Sequence, residues 1–340
     1  MYKAANLLKP HIFKIEERND LIPSKEEVII EVTTAGVCGT DTAIFSGNYV
    51  VPLPLVLGHE FIGNVIAVGD KSNKSLIGKR VTAEINDTCI SYNKKNVCIS
   101  CSSQLSTHCQ NRTVLGIIKH DGAFAEQLKC PIRNVHLIPE SIKDENAIFI
   151  EPLAAAIQTF EMSPIQKNDF IVILGSGRLG ILITLVAKLF GAQVLAVSRS
   201  IEKLERAKKF GADHVLPFSD SLLDEIRDLT NGLGADMVVE CSGNSGLVNQ
   251  AINYVRPRGT VALKTTSGVP ANNVDLTKIV VDEIRLVGSR CGNFQKAINL
   301  IQQKKLELSS LISRKFKLDE IQAALKAAES KSKIVIDIKN

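Results

Sequence analysis

The stretch Ile171-Val-Ile-Leu-Gly175-Ser-Gly177-Arg178-Leu179-Gly180 decides the fold. A short apolar run ends at a glycine, and two more glycines follow at Gly-x-Gly-x-x-Gly spacing. Leu179 to Phe190 then has helical length and is apolar nearly all round. A strand, a tight turn and a buried helix are predicted. In such a turn the first glycine permits the reversal, the second lets the backbone approach a pyrophosphate, and the third lets helix and strand pack closely. The helix start offers free N–H groups and a partial positive charge to an anion. A glycine triplet alone is weak evidence, but its surroundings strengthen it. Val194 to Val197 reads as the next strand. Ile201 to Phe210 reads as an amphipathic helix with Glu202/Arg206 and Glu205/Lys209 at i,i+4, stopped by Gly211. Strand Met237 to Glu240, helix Gly246 to Val255 and strands Thr260 to Lys264 and Ile284 to Val287 follow. Repeated βα units predict an α/β, doubly wound parallel sheet that binds a dinucleotide, with helices on both faces.

The end of the second strand ordinarily carries an acid that binds the adenosine ribose 2′-OH. Here it reads Ala196-Val197-Ser198-Arg199-Ser200, with Ser198 where the acid would stand. A carboxylate there would repel a 2′-phosphate, whereas Ser198, Arg199 and Lys203 attract one. NADP(H) is therefore expected over NAD(H).

The 340 residues suffice for two domains. Hydrophobic residues at 45% and charged residues at 23% exclude disordered and fibrous classes. The net charge of +5 is scattered, so neither nucleic acid nor a membrane is expected as a partner. No apolar stretch reaches the roughly 18 residues of a spanning helix. The run Phe170 to Phe190 is broken by Gly175, Gly177, Arg178, Gly180 and Lys188. Met1 to Pro10 does not read as a signal peptide. Four of the eight cysteines crowd between residues 89 and 109, which favours metal-binding thiolates in a cytoplasmic protein over disulfides.

The first region has a different texture. Short β-type runs, such as Glu27 to Thr33 and Gly63 to Val68, alternate with Gly, Pro and Asn, giving a mostly β domain with long loops. The tail contains helices Phe294 to Gln303 and Leu318 to Ser330 and a closing strand, Lys333 to Ile338. It has no place in the parallel sheet and is assigned back to the first domain. The expected domains are 1–152 with 291–340, and 153–290. Within the first, Gly36-Val37-Cys38-Gly39-Thr40-Asp41, Gly58-His59-Glu60 and Glu151-Pro152-Leu153-Ala154 supply a thiolate, an imidazole and carboxylates. This mixed set, spread over distant loops, suits zinc with one position left open. A second metal motif is Cys98-x2-Cys101-x7-Cys109, preceded by Cys89.

Together these motifs resemble the zinc-dependent medium-chain dehydrogenase/reductase (alcohol dehydrogenase) family over essentially the whole chain. The resemblance includes Gly116, the Glu240-Cys241-Ser242-Gly243 loop and the C-terminal helix–strand tail. The Glu-Pro-Leu-Ala motif is similar to the sorbitol and threonine dehydrogenase branch. Val261-Ala-Leu-Lys264-Thr-Thr and Ile284 to Gly292 are similar to a less characterised subgroup, so the substrate does not transfer with the fold. The resemblance implies a GroES-like catalytic domain beside a Rossmann cofactor domain. It implies that Cys38 and His59 bind catalytic zinc and that Glu151 or Glu60 supplies the carboxylate. Asp41 would orient His59, and Thr40 would hydrogen-bond the substrate hydroxyl and pass its proton outward. The relay histidine often found three residues after that threonine is Ala43 here, so the proton must leave through water, ribose or another group. Ser242 would join Gly175, Gly177, Arg178, Leu179, Gly180, Ser198, Arg199 and Lys203 at the cofactor.

The family's structural zinc lobe reads Cys-x2-Cys-x2-Cys-x7-Cys. Cys98, Cys101 and Cys109 match its last three positions, and Lys95 occupies the first. Eight residues separate Cys89 from Cys98, yet four thiolates with a longer first loop can still close a tetrahedron. A metal-free lobe, or His108 replacing one sulfur, are the alternatives. Cys130, Cys241 and Cys291 are expected as small buried residues. The family pairs cofactor-domain sheets edge to edge, so a homodimer or homotetramer is expected, with Thr277 to Gly288 as the edge strand. The implied reaction is reversible oxidation of an alcohol or polyol, a small-molecule substrate, to an aldehyde or ketone. Zinc would polarise the oxygen and the nicotinamide would take the hydride, held in the cleft between the domains. Two rivals compete. A nucleic-acid-binding zinc protein leaves Gly175 to Gly180 and Gly58-His59-Glu60 unexplained. A non-catalytic nucleotide sensor would keep the fold without zinc-dependent turnover. A zinc-free quinone reductase is argued against by Cys38, His59 and Glu60 together.

Overall fold

The computed structural model describes every residue except 265, 267, 331 and 340. Thr265 of the Val261–Thr266 segment therefore lies outside the described residues. The chain divides into two compact units, Met1–Glu151 with Asn293–Asn340, and Pro152–Gly292. Among the described residues no helix is long and apolar enough to cross a membrane.

The second unit is built on a six-stranded parallel sheet. Its order is His214–Pro217, Gln193–Ser198, Phe170–Leu174, Ala235–Glu240, Val255–Leu263 and Arg285–Gly288. The first strand in sequence lies mid-sheet, and the chain winds outward from it in both directions. Val172, Leu174, Leu195, Val197 and Val238 pack with Leu222, Ile226, Ala251 and Ile252. Ile171 and Ile173 alternate to the opposite face and are fully buried as well. Burial on both faces explains why these strands read as continuous apolar runs. The strand order reverses between Phe170–Leu174 and Ala235–Glu240. In such sheets a ligand lies at the carboxyl ends of the strands beside that reversal.

Several elements differ from the sequence expectations. Thr277 to Gly288 is not one strand. Leu276–Val281 is a helix, and the edge strand is only Arg285–Gly288. The helix is set by Asp275, whose side chain accepts from the Lys278 N–H at 2.9 Å, and by the Lys278–Asp282 pair at i,i+4. The β-branched Val280 and Val281 disguise it, because both are exposed and neither reports a buried face. Helix Leu222–Leu229 and strand His214–Pro217 add to the expected elements; the helix buries only Leu222 and Ile226, too few to mark a period in the sequence. Cys130 is buried, but Cys241 and Cys291 are only half-buried.

In the first unit Glu27–Gly36 is the central strand. It pairs antiparallel with Glu60–Val68, Gln127–Pro131 and Lys333–Asp337. The closing strand thus sits between Glu27–Gly36 and Ile312–Lys317. Ile312–Lys317 was not foreseen, because only Phe316 in it is buried. A separate three-stranded sheet, Asn86–Asp87, Thr113–Leu115 and Lys119–His120, supports the cysteine-rich loops.

Candidate metal centres and cofactor turn

The register of the central sheet assembles the first cluster. Gly36 pairs with Glu60 on one side and with Val335 on the other. Two residues past Gly36, Cys38 caps the N-terminus of a short helix, Gly39–Phe45, where the sequence suggested only a glycine-flanked loop. Asp41, fully buried in that helix, turns its carboxylate back. One oxygen accepts from the Cys38 N–H at 2.8 Å, and the other accepts from the Gly58 N–H at 3.2 Å and lies 3.4 Å from His59 Nδ1. One carboxylate therefore fixes the loops that carry the thiol and the imidazole.

The ligand atoms of Cys38, His59 and Glu60 all lie within 4.8 Å of one another. Burial alone would raise the Cys38 thiol, but the neighbouring His59 imidazole outweighs it and holds the thiol below its ordinary value. Burial would likewise depress His59; the charges of Asp41 and Cys38 overcome this and raise it well above its ordinary value. A thiol and an imidazole in contact are a donor pair that a divalent cation fits once both give up their protons. His59 Nδ1 is a buried polar atom with no hydrogen bond of good geometry. A soft sulfur, a nitrogen and an oxygen in this spacing fit zinc. Glu151 stands outside this set, although its negative charge opposes ionisation of the Cys38 thiol. Thr40 Oγ1 lies 3.9 Å from Cys38 Sγ.

Sequence reasoning missed Lys333. Its ammonium pairs with the Glu60 carboxylate, both side chains are 3% exposed or less, and it lies 5.3 Å from the Phe149 ring centre. A Cβ at position 36 would stand 2.5 Å from both the Glu60 oxygen and Lys333 Nζ, so any side chain there would displace the charged ends of the pair. The available signal was a lysine opening an otherwise apolar strand, Lys333-Ile-Val-Ile.

In the second cluster the sulfurs of Cys89, Cys98, Cys101 and Cys109 lie within 4.8 Å of one another. His108 is exposed, with its Nδ1 beside Thr107, and is not part of the set. The backbone N–H groups of Cys101 and Gln110 lower the Cys98 thiol to about 6. Burial and the adjoining thiols push Cys101 up to about 12. Crowded sulfurs cannot all ionise unless a cation joins them, and this donor set fits a closed tetrahedral zinc.

In the other unit, Gly175 has φ +108° and approaches Ser242 so closely that a Cβ would lie 2.6 Å from its Cα. A Cβ on Gly180 would strike the Gly175 carbonyl. Gly177 precedes helix Arg178–Leu189, whose first turn has no side-chain cap. A helix start of this kind is a site where backbone N–H groups can meet an anion. Ser198 ends its strand and accepts from the Ser200 N–H at 3.2 Å. Arg199 is exposed and Lys203 half-buried in the first turn of the next helix. Ser242 donates to buried Glu240 at 2.5 Å.

Comparison with known proteins agrees with this chemistry. Residues 24–140 match the alcohol dehydrogenase GroES-like domain, and residues 179–303 match the zinc-binding dehydrogenase domain. The chain is 32% identical to a sorbitol dehydrogenase of Halalkalibacterium halodurans over 94% of its own length and 93% of that protein's. An alcohol dehydrogenase of Escherichia coli CFT073, solved with NADH, superposes with a TM-score of 0.90 at 27% identity, covering 99% of both chains. A zinc-binding dehydrogenase of Sinorhizobium meliloti 1021, solved with NADP, gives 0.87 at 27% identity, again over 99% of both. The chain belongs to the zinc-dependent alcohol dehydrogenase family of medium-chain dehydrogenases. It is an oxidoreductase that works with a nicotinamide cofactor and zinc.

The Lys333–Glu60 pair yields a stability prediction. Lys333→Met strands a buried carboxylate and should cost about 3–5 kcal/mol in the metal-free protein. Lys333→Met combined with Glu60→Gln should recover most of that. Urea unfolding of the parent and the two variants measures both, and equal losses for the single and the double variant would contradict the pairing.

Proposed function

We propose that the protein is a dehydrogenase that oxidises a polyol to a ketose-type or aldehyde product with NADP(H) as its preferred cofactor. The carrying observation is the convergence of Cys38, His59 and Glu60 beside Thr40, in a chain whose other unit holds the uncapped Gly175–Gly180 turn. The polyol reading is supported by the similarity to a sorbitol dehydrogenase. When bound, zinc supplies Lewis-acid polarisation of the substrate oxygen, and the nicotinamide ring supplies a hydride acceptor. Cys38, His59 and Glu60 hold the metal, with Glu151 in reserve as a carboxylate. Asp41 orients His59 and fixes the backbone of Cys38 and Gly58. Thr40 takes the hydroxyl proton and hands it to water, since Ala43 offers no relay. Cys89, Cys98, Cys101 and Cys109 hold a second, structural zinc.

Three outcomes test this. Cys38→Ser and His59→Ala should remove the catalytic metal and nearly all turnover yet leave cofactor binding intact. Thr40→Ala should keep the metal and slow turnover roughly 10²–10⁴-fold, with Thr40→Ser largely active. A panel of alcohols, polyols and 3-hydroxy amino acids, read by reduced-cofactor absorbance, should give the best kcat/KM with a polyol. Turnover in His59→Ala would overturn the mechanism, and turnover on no alcohol or carbonyl would favour a nucleotide sensor.

Ser198, Arg199 and Lys203 would receive the 2′-phosphate, so cofactor titration should show tighter NADP(H) than NAD(H) binding. Ser198→Asp should invert that order. Equal or better NAD(H) binding by the parent would sink the assignment.

Self-association through the cofactor unit is part of the same reading. Arg285–Gly288 ends its sheet with one neighbour, and beside it in sequence Leu276, Val280 and Val281 are about 70% exposed. An open edge with an adjacent apolar patch favours pairing with a second copy. Light scattering should report a dimer or a larger oligomer, and Val280→Glu/Val281→Glu should weaken it. A stable monomer at micromolar concentration would refute it.

A further inference from the structure

One strap of chain, residues 115–124, bonds both to the small sheet that leads to Cys89 and to the segment that ends at His59. On the lobe side, Lys119–His120 is the third strand of the small sheet whose first strand, Asn86–Asp87, leads within two residues to Cys89. Asp87 is only 2% exposed. Its carboxylate accepts from His120 Nδ1, from Thr113 Oγ1 at 3.1 Å and from Asn134 Nδ2 at 3.0 Å. A buried carboxylate is tolerated only when donors surround it, so these bonds hold the small sheet to the strap.

On its other side the strap grips the segment that ends at His59. Asp121 accepts from the Val56 N–H at 2.9 Å, and the Gly122 N–H donates to the Val56 carbonyl at 2.7 Å. The Phe124 N–H donates to the Leu57 carbonyl at 2.9 Å, and the Ala123 N–H to the Gly58 carbonyl at 2.8 Å. There is no slack at the crossing. A Cβ on Gly116 or Gly122 would come within 2.4 Å of the Gly58 carbonyl oxygen, and a Cβ on Gly58 would lie 2.7 Å from the Phe124 ring. Gly58 has φ +94° and gives its own N–H to Asp41, the carboxylate beside His59. The path from Cys89 to His59 is thus a continuous run of hydrogen bonds and backbone contacts within one unit.

We propose that the Asp87–His120 bond is a latch, and that His120 is a positioning residue. It sets how tightly the Cys38–His59–Glu60 site holds its metal and makes that affinity depend on the state of the four-cysteine lobe. The proposal rests on the reading of Cys38, His59 and Glu60 as a metal site. Neither residue of the latch belongs to that set. They act by fixing the strap, the strap fixes Gly58, and Gly58 fixes His59. Supporting groups that orient a metal ligand are worth about 10–100-fold in metal affinity.

The test uses the full-length protein loaded with cobalt(II), because a four-thiolate site and a mixed sulfur–nitrogen–oxygen site absorb differently. Competition with a chelator then reads each site separately. His120→Ala should release the mixed-site cobalt at a chelator concentration roughly 10–100-fold lower than the parent, while the four-thiolate bands persist. His120→Asn, whose side-chain amide places a donor near the position of Nδ1, should restore retention. Ile173→Ala, a destabilising core change in the other unit, should leave mixed-site affinity unmoved, which separates the latch from general loss of stability. Cys98→Ser should weaken the mixed site as His120→Ala does, and the two changes combined should add little. If His120→Ala does not fold, Asp87→Asn carries the same comparison. Mixed-site retention equal to the parent in His120→Ala, or in Asp87→Asn where that variant stands in for it, overturns the latch. A parent whose mixed-site bands are unchanged by Cys38→Ser overturns the site reading, and the latch with it.

Discussion

The catalytic unit depends on where the chain buries the negative charge of Asp41. Residues 38 and 59 are brought near each other by the antiparallel pairing of Glu27–Gly36 with Glu60–Val68, which sets Gly36 opposite Glu60. Sheet pairing alone leaves the loops beyond the strand ends free. Asp41 removes that freedom by accepting N–H groups from both Cys38 and Gly58 while lying against His59. A fully buried carboxylate is expensive unless its lone pairs are used, so the loops that use them are held as firmly as the charge is buried. The result is preorganisation: a thiolate, an imidazole and a carboxylate already converge, and a metal has little ordering left to impose.

Glu60 shows the same logic with the opposite remedy. Backbone N–H groups satisfy Asp41, whereas a distant lysine partners Glu60. Lys333 arrives from the strand Lys333–Asp337, so the C-terminal segment adjoins the candidate metal site even though it supplies no donor to it. The pair takes its present position beside a residue, Gly36, that has no side chain to displace it. A buried ion pair is weak evidence for stability, since desolvating two charges offsets most of their attraction. Its effect here is positional: it holds a carboxylate in place beside the other donors.

The sequence made legible what periodicity and glycine spacing encode. The strand–turn–helix at Phe170–Leu189 was readable because burial on both faces gives unbroken apolar runs and because Gly175 and Gly180 stand where a Cβ has no room. Cys38, His59 and the cysteine cluster were readable because these residue types are rare and chemically pointed. Leu276–Val281 was not, since an exposed helix of β-branched residues, fixed by one capping aspartate, has the composition of an edge strand. Lys333 and the Asp87–His120 pair were not, because each partner lies far away in sequence and either alone looks like an ordinary surface charge. Long-range pairing of polar groups leaves no local period to read.

The cysteine lobe shows why donor convergence is a stronger criterion than spacing. Eight residues separate Cys89 from Cys98, where a two-residue interval is the family pattern, and Lys95 occupies the expected position. Yet Cys89 Sγ lies 3.5 Å from Cys109 Sγ, and it receives a contact from the Asn111 amide at 3.6 Å. A tetrahedral ion fixes the positions of four sulfurs and is indifferent to the length of chain between them, provided the longer loop is anchored at its base. Here the base is anchored: the strand Asn86–Asp87 leads directly into Cys89, and its carboxylate is held by His120, Thr113 and Asn134. Loop-closure entropy rises only slowly with length, so six extra residues cost little against the convergence they leave intact. The insertion therefore moves the first cysteine along the sequence while its sulfur still converges with the other three, and the strand that leads into it is bonded to the segment that contacts Gly58.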